Sequence, residues 1–144
     1  MQETRWHIIR HAPVDNPEGR IYGASDRAAN VSNTKAFKVL AERLPQNAVS
    51  VVSHLKRTHQ TLKAIKEAGL KFQKPIIDRR LGEQDFGDWV GKTYDEARAA
   101  YGKSYSRFWL APVSEKPRNG ESFIELMGRV HKSINEINAK FLDK

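Results

Sequence analysis

Apolar and polar positions along the chain follow two periods. Short apolar runs at residues 6–9 (Trp6, His7, Ile8, Ile9) and 49–52 (Val49, Ser50, Val51, Val52) each break off in a polar turn. Runs of this length, rich in Ile and Val, read as buried, parallel strands. A third short strand is predicted near residues 75–78, around Ile76 and Ile77. Between the strands the period lengthens. Phe37, Leu40, Ala41 and Leu44 form a stripe behind a Ser32 cap and before Pro45; Leu62, Ile65 and Ala68 form another over residues 56–68, with Gly69 as its stop. Helices are also predicted at 93–101 and 104–110, and residues 111–120, with two prolines, read as a loop. Ser122 and Glu125 form a capping box for a long last helix, whose Phe123, Leu126, Met127, Val130, Ile134, Ile137 and Phe141 are expected to face the core. Strand, helix, strand, helix, strand in that order predicts an α/β fold, a parallel sheet with helices on its faces and right-handed crossovers.

Composition narrows this without changing it. The chain has 144 residues, 39% of them hydrophobic, enough for one domain over residues 1–144 with a single core. It has no cysteine, which removes disulfides, thiolate chemistry and cysteine-bound zinc. A polar start and no apolar run of membrane length lead us to expect a cytoplasmic protein with no membrane partner. The net charge is +8, but the lysines are scattered over helical stretches and do not interleave with aromatics, so no nucleic-acid partner is expected and the charge favours small anions.

The chemistry begins where the first run ends. Arg10 and His11 follow it directly, at the carboxyl end of a strand, where ligands of open α/β sheets bind. Arginine offers a planar fork of donors to a phosphate, and a neutral imidazole is a good nucleophile. Alone, the pair also fits a surface arginine beside an ordinary loop histidine. Three later segments matter here: Ser53-x-x-x-Arg57-x-x-Gln60-Thr61 after the second run, the loop Glu83-x-Asp85-Phe86-Gly87-x-Trp89-x-Gly91, and Gly120-Glu121-Ser122 before the last helix.

In this order the four segments resemble the histidine phosphatase superfamily, the phosphoglycerate-mutase-like proteins. The resemblance covers nearly the whole chain and is closest to small bacterial phosphatases of the broad-specificity and α-ribazole-phosphatase-like kind, in which Gly19-Arg20-Ile21-Tyr22-Gly23 also has a counterpart. It departs at Ala12, where the family usually has glycine. The family also places a second catalytic histidine after a later strand, inserted between the first two at the centre of the sheet. The sequence stops at Lys144 before any such strand. The resemblance thus implies a three-layer sandwich with a mostly parallel sheet that lacks its central strand, and truncation of a longer phosphatase is the expectation.

The resemblance also implies roles. His11 would accept the phosphoryl group as a phosphohistidine. Arg10 and Arg57 would hold the equatorial oxygens and disfavour imidazolium. Glu83 would protonate the leaving alkoxide, with Asp85 as its rival; burial beside Phe86 and Trp89 would raise its affinity for a proton. A purely structural use of this acidic loop, capping a helix or pairing with Arg79 or Arg80, stays open. Glu121 would support the site from behind and Ser122 would cap its helix, while His54 and His59 read as turn or surface residues. No metal is expected, since His7 and His11 lie on a strand and its exit, and no cofactor. The expected partners are a small phosphorylated substrate or inorganic phosphate, and further copies of the chain through unpaired strand edges. Three functions stay open: a metal-independent phosphatase, a phosphate-binding chain that has lost turnover, and a mutase.

Overall fold

The structure, a computed structural model, describes residues 3–141, so Lys144 lies outside it. A βαβ unit forms its centre. Strand β1 (Val51–Val52) runs parallel to β2 (Ile76–Ile77) with Val51 opposite Ile76, and helix α2 (Lys56–Glu67) connects them. The predicted α/β, parallel arrangement is therefore present, with two paired strands among the described residues. Helix α1 (Thr34–Arg43) packs on α2. Its cap is Asn33 rather than Ser32: the Asn33 side chain accepts the Ala36 N–H at 3.2 Å. Helix α3 (Tyr94–Leu110) joins the two helices expected separately, because Gly102, at φ 45°, allows a kink within one element. Helix α4 (Phe123–Phe141) opens on the predicted capping box, Ser122 N–H donating to Glu125 at 2.7 Å and Glu125 N–H to the Ser122 hydroxyl at 3.3 Å. Among the described residues no helix is long and apolar enough to cross a membrane.

Two buried clusters hold these elements. Phe37 and Ala41 of α1 meet Ile65 of α2, Leu70 and Ala12. The second is aromatic: Trp89, 1% exposed, lies with Ile21, Ala97, Tyr105 and Phe108, its ring 5.0 Å from that of Tyr105 and 5.1 Å from that of Phe108. Backbone bonds from Ile21 N–H to Lys92 O and from Gly91 N–H to Ile21 O, both 2.8 Å, fasten the early loop to this cluster.

Two expectations about burial fail. Residues 6–9 form no sheet ladder, and Ile8 is 91% exposed. An apolar strand is buried only when neighbours pair with it and cover it, and a cleft separates this segment from β1, which is paired on one side only. The last helix also keeps part of its stripe outside: Phe123 is 44% and Met127 54% exposed, and Ser133 is its one fully buried residue among those described. Helical spacing marks a face, but whether a neighbour covers it is a tertiary matter.

Ser133 anchors α4 to the single-turn 3₁₀ helix Arg79–Leu81 that follows β2. Its hydroxyl donates to Asp78 at 2.7 Å, and the Arg80 guanidinium grips the same carboxylate at 2.7 Å. The hydrogen bond from Arg80 above all, helped by Ser133, holds the Asp78 carboxyl well below the usual carboxylate range against the opposing effect of burial. A group lowered in the folded state adds stability above its unfolded value, about 3.9, and that stability drains away as pH falls through the folded value. Asp78→Asn is expected to cost about 1–3 kcal/mol at neutral pH and to flatten the loss of stability below about pH 4. Urea midpoints taken between neutral and acid pH check this; parallel acid slopes for the two proteins would contradict it.

Candidate functional site

His11 sits where the cleft meets the start of α2. Its Nδ1 lies 2.7 Å from the Ala12 carbonyl oxygen. A carbonyl only accepts, so Nδ1 is the donor here, and this selects the tautomer that has its lone pair on Nε2. The segment is held in place: Ala12 N–H donates to the Thr61 hydroxyl at 2.8 Å, which itself donates to Arg57 O at 2.7 Å. The cleft, about 350 Å³, has residues 6–9 on one wall, β1 on the other, Thr61, Leu62 and Ile65 of α2 along it, and Val130 and Ile134 of α4 closing it.

Arg57 is 1% exposed, and its guanidinium has a structural task. One Nη donates to Ser25 O at 2.7 Å and the other to Gly23 O at 2.9 Å, with the Tyr22 ring 5.4 Å from its centre. Its Nε is buried without a partner in the protein. Two of its N–H groups are thus given to the loop of residues 13–29, a use the sequence did not suggest. Arg10 is exposed and has no hydrogen-bond or ion-pair partner among the described residues.

The acidic loop comes against Arg57's partners. Gly23, at φ 41°, packs so closely that a Cβ there would lie 2.9 Å from Gln84 O, so the early loop and the acidic loop touch through backbone. Contacts therefore run from Ala12, next to His11, through Thr61 to Arg57, and from Arg57 through Gly23 to Gln84, the neighbour of Glu83. Glu83 itself is exposed, its carboxylate accepting the Gln84 N–H at 2.9 Å. The expected burial beside Phe86 and Trp89 is not found, because those rings turn into the aromatic cluster with Phe108. Asp85 is engaged within its own turn, accepting the Gly87 N–H at 2.8 Å. Neither acid pairs with Arg79 or Arg80.

Glu121 lies directly behind this loop. Its carboxylate accepts the Asp85 N–H at 3.0 Å and the Arg129 fork, while its backbone N–H donates to Asp85 O at 2.9 Å. Burial works to raise the Glu121 carboxyl, but the bonds from Arg129 and Asp85 hold it below its ordinary value. Arg129 was not singled out from the sequence, because an arginine on a helix face carries no local mark of its role. His59, expected in a turn or at the surface, is instead half-buried within α2, its Nε2 2.9 Å from Ser53 O. His54 packs its ring against Gly82, and burial, reinforced by the charge of Arg79, lowers its proton affinity. Among the described residues no group of three His, Asp or Glu could hold a metal ion.

The α/β frame thus carries a histidine beside the cleft, a buried arginine that ties down the early loop, and an acidic loop packed on that loop. The model of the histidine phosphatase superfamily (branch 1) matches residues 6–144, and the chain belongs to that family. It is 31% identical over 136 residues to phosphoserine phosphatase 1 of Hydrogenobacter thermophilus, covering 92% of this chain and 64% of that protein. It is 34% identical over 129 residues to a 2,3-bisphosphoglycerate-dependent phosphoglycerate mutase of Rhizobium rhizogenes, covering 85% of this chain and 61% of that one. A mycobacterial glucosyl-3-phosphoglycerate phosphatase, solved with inorganic phosphate, superposes with a TM-score of 0.72 at 26% identity, over 91% of this chain and 61% of the other. The chain thus spans somewhat less than two thirds of the length of these relatives.

Proposed function

We propose that this chain carries the nucleophilic half of a metal-independent phosphomonoester hydrolase. The observation that carries this reading is the His11 Nδ1 contact with Ala12 O, which turns the basic Nε2 outward as a nucleophile. In the first step the Nε2 lone pair forms an N–P bond while the ester P–O bond breaks, its electron pair leaving on an oxygen that takes a proton from Glu83. Water then attacks phosphorus and gives its proton to the Glu83 carboxylate, and the N–P pair returns to His11 as inorganic phosphate departs. Arg10 and the N–H groups of Arg57 not given to Ser25 and Gly23 supply the countercharge for the phosphoryl oxygens. Each acid accepts one local backbone N–H, and Glu83 is favoured over Asp85 because the family resemblance assigns the proton donor to its position. Phosphate held by a structural neighbour supports the substrate class.

The resemblance assigns one further phosphate donor to a second histidine, and losing one preorganised donor costs about 10²- to 10³-fold in rate. Hydrolysis of p-nitrophenyl phosphate in excess EDTA is therefore expected to be slow but measurable, and faster by about that factor in a chain extended with the C-terminal third of a relative. Activity abolished by EDTA, or equal in the two chains, would sink this account. A second reading, phosphate binding without turnover, draws on the share of Arg57 already bound to the early loop. It requires phosphate binding with no hydrolysis by either chain.

The exposed residues 6–9 and the free edges of the β1–β2 pair leave unpaired edges among the described residues, and we extend the proposal to self-association through them. The sedimentation coefficient is expected to rise with concentration. A constant monomer value would refute it.

A further inference from the structure

We propose that Arg129 is a positioning residue that fixes where Glu83 presents its carboxyl group. The inference rests on the reading of Glu83 as the proton donor. Arg129 projects from the second turn of α4, and all five of its guanidinium N–H groups are engaged. Nη1 donates to Arg80 O at 2.6 Å and Gly82 O at 2.8 Å; Nη2 donates to Glu83 O at 3.0 Å and Glu121 Oε1 at 2.5 Å; Nε donates to Glu121 Oε2 at 2.9 Å. Glu121 continues the clamp. Its Oε1 accepts the Asp85 N–H, its N–H donates to Asp85 O, and its own carbonyl takes the Gln84 side-chain amide at 3.1 Å.

The backbone on both sides of Glu83 is thus stitched to α4 while the Glu83 carboxyl stays exposed. A proton donor needs this division: a fixed Cα, so that the acid is near the leaving oxygen, and an exposed head that gives up one contact, with the Gln84 N–H, to reach it. The burial of this clamp does not leave a bare charge, because the Glu121 carboxylate faces the guanidinium with two bonds. Only a planar fork of five donors can serve three carbonyls and a carboxylate together; the three donors of lysine cannot.

Misplacing a catalytic group by about an ångström can cost 10²-fold. The loss should fall on esters that need the proton. Rates are compared for phenyl phosphate, whose leaving group requires protonation, and 2,4-dinitrophenyl phosphate, whose leaving group does not, with protein in excess so that one slow turnover is read. Arg129→Met and Arg129→Lys are both expected to slow phenyl phosphate at least about 10-fold more than the dinitrophenyl ester. Glu83→Gln should show the same split, and adding Arg129→Met to it should not widen the split further. If Glu83→Gln shows no split, the reading of Glu83 fails. If Glu83→Gln splits the esters and the Arg129 variants slow both equally, or neither, the role given to Arg129 is overturned. Amide exchange provides an arm independent of turnover: residues 82–85 should exchange faster in the Arg129 variants while the amides of α2 keep their protection. Unchanged exchange at 82–85 overturns the proposal. Should α2 lose protection as well, Glu121→Gln, which keeps the shape of the clamp but removes its charge, is expected to give the same ester split in smaller measure, and its absence there also overturns it.

Discussion

His11→Ala is expected to bring hydrolysis down to the uncatalysed background and to abolish transfer of phosphate onto the protein. Removing the nucleophile from a site that works through a covalent intermediate costs about 10⁶-fold where no other group can take its place. The cleft lining is largely apolar; Thr58 and Thr61 spend their hydroxyls on backbone carbonyls and Ser53 accepts the Leu55 N–H, which leaves His7 as the other imidazole along it. Two measurements check this together. Brief exposure to radiolabelled phosphate ester, followed by alkaline quenching, should label the unaltered chain with an acid-labile phosphate and leave His11→Ala blank. Undiminished labelling of the variant would move the nucleophile elsewhere and end the proposed chemistry.

The second large effect concerns stability. Trp89→Ala is expected to cost about 3–5 kcal/mol, a large share of the roughly 5–15 kcal/mol that holds a typical domain together. Trp89 is 1% exposed and meets the rings of Tyr105 and Phe108, so its removal leaves a cavity lined by stiff aromatics that cannot collapse into it. The effect should reach the site as well, since the Trp89 loop is fastened to Ile21 and the early loop to Arg57. Trp109, 48% exposed, is the control. A denaturant midpoint for Trp89→Ala close to that of Trp109→Ala would show that the aromatic cluster is not the core it is taken to be.

What was legible in the sequence was local. The capping box of Ser122 and Glu125, the stop at Gly69, and the short runs at Val51 and Ile76 each depend on a few adjacent residues, and each is present. The gap between residues 101 and 104 was read as a break between two helices, whereas Gly102 makes it a kink inside one. Residues 6–9 were misread as buried because burial of a strand is decided by neighbours distant in the chain. Glu83 was expected beside Phe86 and Trp89 because it is near them in sequence, yet a turn at Gly87 sends the rings inward and leaves the carboxylate outside. The family resemblance brought His11, Arg10, Arg57, Glu83 and Glu121 to notice, whereas Arg129 stayed invisible because its carbonyl partners lie 46 to 49 residues earlier in the chain and a single glutamate eight residues before it is no local signal.

Both structural arginines bind main-chain oxygens: Arg57 holds Gly23 and Ser25, and Arg129 holds Arg80, Gly82 and Glu83. Every residue offers a carbonyl, so these ties survive whatever side chain stands at Ser25 or Arg80. The early loop can accordingly change its side chains while the frame that holds it stays fastened. A chain built in this way holds both loops by their main chain and leaves the side chains of the rim free of any part in the fastening.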